Sequence, residues 1–231
     1  MIDIHSHILP AIDDGAATME ESVAMARIAA KDGISAMVAT PHAFDGVYDS
    51  CRADILDGCH RLNDFLELNE IPVKIFPGQE VRLTPELLES IDADRVLTLN
   101  SSQYILIELP MHVLPNYLTD IIQSIRFRNL VPIIAHPERN PVLMTHMDIA
   151  KDLIYSGALF QITAGSFTGM FGRDVKKCAV HYARMGMVHF VGSDAHSFKR
   201  RTPFMSKGFR VLSKIIGEDV FHQYSELGIE L

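Results

Sequence analysis

An α/β fold built on a parallel sheet is predicted by two patterns in this 231-residue chain. Seven short β-rich apolar runs alternate with longer helical segments from end to end. Six of those runs also deliver a histidine or carboxylate at or just beyond the carboxyl end, where parallel α/β folds place their sites. Taken in order, the runs are Ile2–His5, Ile34–Thr40, Val73–Gly78, Tyr104–Leu109, Val131–Ala135, Ala158–Thr163 and Val188–Gly192. The clearest helix between them carries Leu118, Ile121, Ile122 and Ile125, an i, i+3, i+4, i+7 stripe after the breaker Pro115, read as core. Thr84-Pro85-Glu86 reads as a helix start, with Thr84 as N-cap and Pro85 in the first turn. The longest helical pattern runs from Asp49 to Asn69, with Gly58 inside it as a residue of low helix propensity. Periodicity does not distinguish an open sheet from a closed one. No linker, repeat or low-complexity tract divides the sequence, so residues 1–231 read as a single domain.

Composition narrows the function classes. Hydrophobic residues make up 48% and charged residues 22%, near globular averages, which excludes disorder and fibrous repeats. The formal net charge of −8 argues against nucleic-acid partners, whose binding draws on a basic surface. Cys51, Cys59 and Cys178 are odd in number and lack metal-ligand spacing, so reduced thiols in a cytoplasmic protein are expected. The first residues do not form a signal peptide, and the apolar runs are too short for membrane insertion.

Nine residues at the run ends form the chemical constellation: His5, His7, Asp14, His42, Glu80, Glu108, His136, Asp194 and His196. His5 and His7 leave one face of an extended segment, as do Asp194 and His196. Mixed imidazole and carboxylate donors suit Zn²⁺, Mn²⁺ or Fe²⁺ better than Ca²⁺ or Mg²⁺. Nine donors exceed the needs of one ion, so two or three ions bridged by a carboxylate are expected. Against this, a single histidine beside a strand is usually structural, and one His-x-His is a weak signal. Buried carboxylates are costly without a cation, however, and six strand ends with the same kind of residue have no simple structural explanation.

Several segments then match a known family: Asp3-Ile-His-Ser-His-Ile-Leu-Pro10, Asp13-Asp-Gly15, Ala39-Thr-Pro-His42, Gly78-Gln-Glu80, Ile107-Glu-Leu-Pro110, Ala135-His-Pro-Glu-Arg139 and Ser193-Asp-Ala-His196. Gln161-Ile-Thr-Ala164 and Gly169-Met-Phe-Gly172 add to the match. The chain resembles the PHP (polymerase and histidinol phosphatase) superfamily, specifically the bacterial manganese-dependent tyrosine-protein phosphatases of capsule and exopolysaccharide clusters. The resemblance implies a distorted (β/α)₇ TIM-like barrel and three divalent ions, Mn²⁺ first, with Fe or Zn as the other choices. It puts His5, His7, Glu80 and Asp194 on the first ion, Glu80 with Glu108 and His136 on the second, and Asp14, His42 and His196 on the third. Ser197 stands where relatives often carry Asn.

Three divalent ions would outweigh four carboxylate ligands and leave a cationic pocket in an acidic protein. A coordinated water whose pKa falls from about 16 to about 7 is the expected nucleophile at phosphorus. Arg139 and Arg201 are expected to clamp the phosphoryl group, Arg200 being the neighbour that could replace Arg201. A tyrosine phenolate, with a pKa near about 10, leaves with little acid assistance. His112 is a candidate acid but reads better as structural; Arg82 and Glu138 read as supporting groups. His60, His146, His181, His189 and His222 lie off the pattern and read as structural or exposed. Cys178 and Arg184 have the Cys-x₅-Arg spacing of cysteine phosphatases, yet their segment has no glycine and reads as helix. The expected activity is therefore hydrolysis of phosphotyrosine on a protein, foremost the tail of a bacterial tyrosine kinase. A small-molecule phosphatase of the histidinol-phosphatase type is the alternative. A nucleic-acid-processing PHP module lacks its basic track here, and a non-catalytic metal-stabilised binding protein would not need the arginines.

Overall fold

The computed structural model describes residues 1–217; His222 lies outside them. The chain runs β1 (Ile2–Ser6), α1 (Met19–Asp32), β2 (Ala36–Ala39), β3 (His42–Ala43), α2 (Arg52–Leu68), β4 (Lys74–Pro77), β5 (Glu80–Arg82), α3 (Leu87–Asp92) and β6 (Tyr104–Glu108). It continues through α4 (Leu118–Phe127), β7 (Val131–Ala135), α5 (Pro141–Thr145), α6 (Met147–Tyr155), β8 (Leu159–Thr163), α7 (Ala164–Thr168), α8 (Arg173–Arg184), β9 (Phe190–Gly192) and α9 (Ser206–Ile216).

All strand pairs are parallel. One sheet has the order β1-β2-β4 and the other β3-β5-β6-β7-β8-β9. The division is local. β3 continues the path of β2 after Thr40-Pro41, and β5 continues that of β4 after Gly78-Gln79, so seven strand positions follow one another in sequence order. The ring closes where the amide of His7 donates to the Ala195 carbonyl at 2.8 Å and that of Asp194 donates to the His5 carbonyl at 2.8 Å. This is the distorted seven-stranded barrel that the resemblance implied.

Strand alternation separates two cores. Ile4, Val38, Leu106, Ile133 and Phe190, one from each of five strands, pack together inside the ring. Their neighbours Met37, Ile105, Ile107, Ile134 and Val191 pack outward against the helices. The α4 stripe of Leu118, Ile121, Ile122 and Ile125 is wholly buried, as its spacing predicted. α1 starts at Thr18, whose hydroxyl accepts from the Glu21 amide, and ends at Gly33 with φ 86°.

α2 runs unbroken through Gly58, which is buried beside Leu9 and Ile12 with room for a methyl at ordinary van der Waals distance. One helix expectation needs correction. Thr84 does not cap a helix: its carbonyl closes a turn to the Leu87 amide at 3.2 Å, and α3 starts only at Leu87.

Candidate metal centre

Each strand position hands one or more polar side chains to the same rim. Gly15 lets the loop after β1 fold back on itself: its amide donates to Asp13, and any Cβ there would collide with the His7 carbonyl. His136 and Asp194 follow β7 and β9 at positive φ, 34° and 52°, where the chain turns off the sheet and aims the side chain inward.

Glu80 lies at the centre. Its Oε1 is 2.8 Å from His136 Nε2. Its Oε2 is buried without a hydrogen-bond partner, yet lies 3.3 Å from His5 Nε2, 3.4 Å from His7 Nε2 and 3.1 Å from His42 Nδ1. His5 and His7 also point their Nε2 atoms at each other, 3.2 Å apart. Converging lone pairs around an orphaned buried carboxylate oxygen are the donor set of a cation site, and divalent ions fit these residues.

Three donor groups arise among the described residues: His5 with His7 and Glu80; His7 with Asp14, His42 and His196; and His42 with Glu80 and Glu108. They share members, so the pocket is one cluster. His42 faces both ways, with Nε2 3.6 Å from Asp14 and Nδ1 toward Glu80. Glu108 keeps company with His42 and Glu80 and also accepts from Arg82 at 2.7 Å, which assigns Arg82 a supporting contact. His136 meets the cluster through Glu80 rather than through Glu108. Asp194 Oδ1 stands 3.6 Å from nitrogens of His5, His7 and His196. The three groups take in seven of the nine expected donors, and His136 and Asp194 lie against them through Glu80 and the histidines.

Arg139 and Arg201 both reach the other oxygen of Asp194, the latter at 2.5 Å. Each side chain keeps an exposed part, 19% and 30%, while Asp194 is buried. Arg200 is exposed and does not join them. Ser197 ties the turn that carries Arg201, its hydroxyl accepting from the amides of Arg200 at 3.1 Å and Arg201 at 3.4 Å.

Charge balance holds the carboxylates ionised. Burial would raise Glu80 and Asp194, but the histidines hold Glu80 well below the usual carboxylate range, and the histidines with both arginines do the same for Asp194. A hydrogen bond from His196 lowers Asp14 to about 2. Burial opposes a charge on His7, yet Asp13 and Glu80 outweigh it and raise the imidazole to about 10.

Three supporting residues had no assigned role in the sequence reading. Asp13 accepts from His7 Nδ1 at 2.6 Å and from the His42 amide at 3.0 Å. Gln161 accepts from His5 Nδ1 at 2.9 Å, leaving Nε2 free to act as a donor atom. Asp3 clasps β1 to β9, accepting from the Ser193 hydroxyl at 2.5 Å and amide at 2.8 Å. Burial pushes its carboxyl up to about 6. All three lie in the quoted motifs, but residue type alone did not separate them from linkers.

None of the described residues read as structural belongs to the three donor groups. His112, His146 and His181 are exposed, and the His60 side chain is 78% exposed. His189 accepts from the Phe160 amide at 3.1 Å. Glu138 is buried and accepts from the Thr163 amide and the Ser166 hydroxyl. Cys178 lies inside α8, buried, with its thiol pushed up to about 11 by burial.

Fold and rim together define a seven-stranded barrel of the PHP type whose histidine–carboxylate cluster could hold divalent cations. More narrowly, the chain belongs to the capsular polysaccharide synthesis family CpsB/CapC, whose model matches residues 1–226. It is 38% identical over 226 residues to the tyrosine-protein phosphatase YwqE of Bacillus subtilis, covering 98% of this chain and 89% of that protein. It is 30% identical over 228 residues to the tyrosine-protein phosphatase CpsB of Streptococcus pneumoniae, covering 94% and 91%. A crystal structure from a study of YwqE and CpsB, described as unique metal-dependent tyrosine phosphatases, superposes with a TM-score of 0.94 at 38% identity, covering 98% of this chain and 92% of that one. A histidinol phosphate phosphatase of Lactococcus lactis shares the fold, with a TM-score of 0.59 at 12% identity over 93% of this chain and 94% of that one. Among the described residues, no helix is long and apolar enough to cross a membrane.

Proposed function

We propose that this protein is a metal-dependent protein-tyrosine phosphatase. The observation that carries the reading is the pairing of Arg139 and Arg201 on Asp194, at the edge of a donor cluster centred on the orphaned oxygen of Glu80. The names of YwqE and CpsB, which align along nearly the whole chain, support the same activity.

Three divalent ions would be held by His5, His7, Glu80 and Asp194; by Glu80, Glu108 and His136; and by Asp14, His42 and His196. Mn²⁺ is the expected ion, with Fe or Zn as the other candidates. When bound, they supply Lewis-acid polarisation of phosphoryl oxygens and a water of lowered pKa. The chain's own residues do the rest. Asp13 and Gln161 fix the rings of His7 and His5 through Nδ1 and keep each Nε2 pointed into the cluster. Arg139 and Arg201 bind phosphoryl oxygens with paired N–H groups and neutralise the charge that spreads over them during transfer. Burial of His5, His7 and Glu80 excludes bulk water from the floor of the site. A phenolate, with a pKa near about 10, departs with little acid assistance. That suits a rim where His112, the candidate acid, is exposed.

The substrate is phosphotyrosine on a protein, foremost the tail of a bacterial tyrosine kinase in a polysaccharide-synthesis system. The setting that follows is the cytoplasm, with no nucleic-acid partner and no membrane insertion. The histidinol phosphate phosphatase is similar at the level of fold alone. The discriminating experiment offers the Mn²⁺-loaded protein a Tyr-phosphorylated peptide and histidinol phosphate in parallel. Faster phosphate release from the peptide is expected; preference for histidinol phosphate would overturn the assignment.

A further inference from the structure

Phe171 occupies a position that the metal cluster and the arginine pair do not account for. The guanidinium carbon of Arg139 stands 4.6 Å from the centroid of its ring, and that of Arg201 stands 5.9 Å away. A single half-buried aromatic ring thus flanks both groups that converge on Asp194. Its placement is built into the backbone. α7 ends at Gly169, with φ 92°, whose amide donates to the carbonyls of Gly165 and Ser166. The Met170 amide donates to the Gly165 carbonyl at 3.0 Å, and the Gly172 amide donates to that of Gly169 at 3.1 Å. Gly172 again has positive φ, 97°. Two left-handed glycines therefore bracket a two-residue tip. Met170 anchors that tip over Gly165, where a Cβ would come within 2.9 Å of the Met170 sulfur, and Phe171 is turned toward the arginines.

We propose that Phe171 is a specificity-determining residue: its ring is the aromatic wall beside the phosphate-binding arginines and selects aryl over alkyl phosphate esters. The assignment rests on the phosphatase reading above, because it takes Arg139 and Arg201 as the groups that hold the phosphoryl oxygens. A phosphoryl oxygen bonded to either guanidinium lies about 2.8 Å from its nitrogen. With the Phe171 centroid 4.6 Å from the Arg139 guanidinium carbon, a substituent directed toward the ring would come within the roughly 4.5–7 Å range over which aromatic rings attract one another. A phenyl substituent gains edge-to-face or offset contact with Phe171, whereas an alkyl chain gains only area.

The test uses non-hydrolysable ligands and reads binding rather than turnover. Dissociation constants of phenylphosphonate and methylphosphonate are measured by calorimetry on Mn²⁺-loaded wild type, Phe171→Leu and Phe171→Tyr. The wild type is expected to prefer phenylphosphonate. Phe171→Leu, which keeps much of the volume, is expected to shrink that preference by about 3- to 10-fold. Phe171→Tyr, which keeps the ring, is expected to retain it. A wild-type preference near one, or an unchanged preference in Phe171→Leu, would overturn the assignment. Phosphate release from a Tyr-phosphorylated peptide is scored separately on the wild type. Its absence, with the binding preference as expected, would remove the phosphatase reading and leave the aromatic wall standing.

Discussion

Glu80 Oε1 lies 2.8 Å from Nε2 of His136, a residue 56 positions further along the chain and two strand positions further round the barrel. The contact brings the third and fifth strand positions to one point. Because the other oxygen of Glu80 faces three more histidines, this carboxylate is the natural bridge of the cluster.

Arg139→Ala and Arg201→Ala are each expected to lower kcat/KM on a Tyr-phosphorylated peptide by about 10²- to 10³-fold, the usual cost of removing one preorganised charge-stabilising donor. Metal content per chain should be unchanged. Arg139→Lys should recover little, since an ammonium lacks the planar fork. Steady-state kinetics beside elemental analysis checks both halves, and a loss confined to metal content would remove the clamp role.

Asp13→Asn is expected to weaken metal binding by about 10- to 100-fold, because Asp13 orients His7 and also holds the His42 amide. Titration of the stripped variant with Mn²⁺ measures this directly. Affinity equal to wild type would mean that His7 keeps its orientation unaided.

Metal binding should strengthen from pH 6 to pH 8 and release protons. In the metal-free protein Asp13 and Glu80 raise His7 to about 10, so the imidazole carries a proton that a cation must displace. The same shift fixes the sign for folding. The His7 contribution to metal-free stability is full below its unfolded pKa, near about 6.5, and is lost as pH rises through about 10. Calorimetry in buffers of different ionisation enthalpy counts the protons; affinity independent of pH would contradict this.

Gly15→Ala should both destabilise the fold, by about 1–3 kcal/mol, and weaken metal binding, because the added methyl collides with the His7 carbonyl. Thermal unfolding and Mn²⁺ titration of the same sample test the linkage. A destabilised variant with wild-type metal affinity would separate the loop from the site.

The seven strands, and the meeting of the nine expected donors on one rim, were legible because both follow from simple periodicities: short apolar runs, and polar residues at their carboxyl ends. α4 was equally plain from Leu118, Ile121, Ile122 and Ile125. Sequence spacing misled where tertiary contacts decide. Gly58 lowers helix propensity, yet α2 runs through it unbroken because Ile55, Cys59, Leu62 and Leu66 bury one face of the helix. Thr84-Pro85 carries a capping signature, yet its backbone is spent on a turn. The roles of Asp13 and Gln161 depend on which imidazole nitrogen they touch, and no local pattern encodes that. The sharing of His42 between Asp14 and Glu80 is likewise a tertiary contact that spacing does not encode.

The central claim, hydrolysis of phosphotyrosine by a metal-dependent site, is tested most directly with chelator-stripped protein and its Cys178→Ser variant on a Tyr-phosphorylated peptide, with and without added Mn²⁺. Cys178 is buried in α8 with its thiol pushed up to about 11, so the variant should match the wild type. Both stripped proteins should be inactive, and Mn²⁺ should restore phosphate release in both. Full activity without metal, lost in Cys178→Ser, would contradict the account.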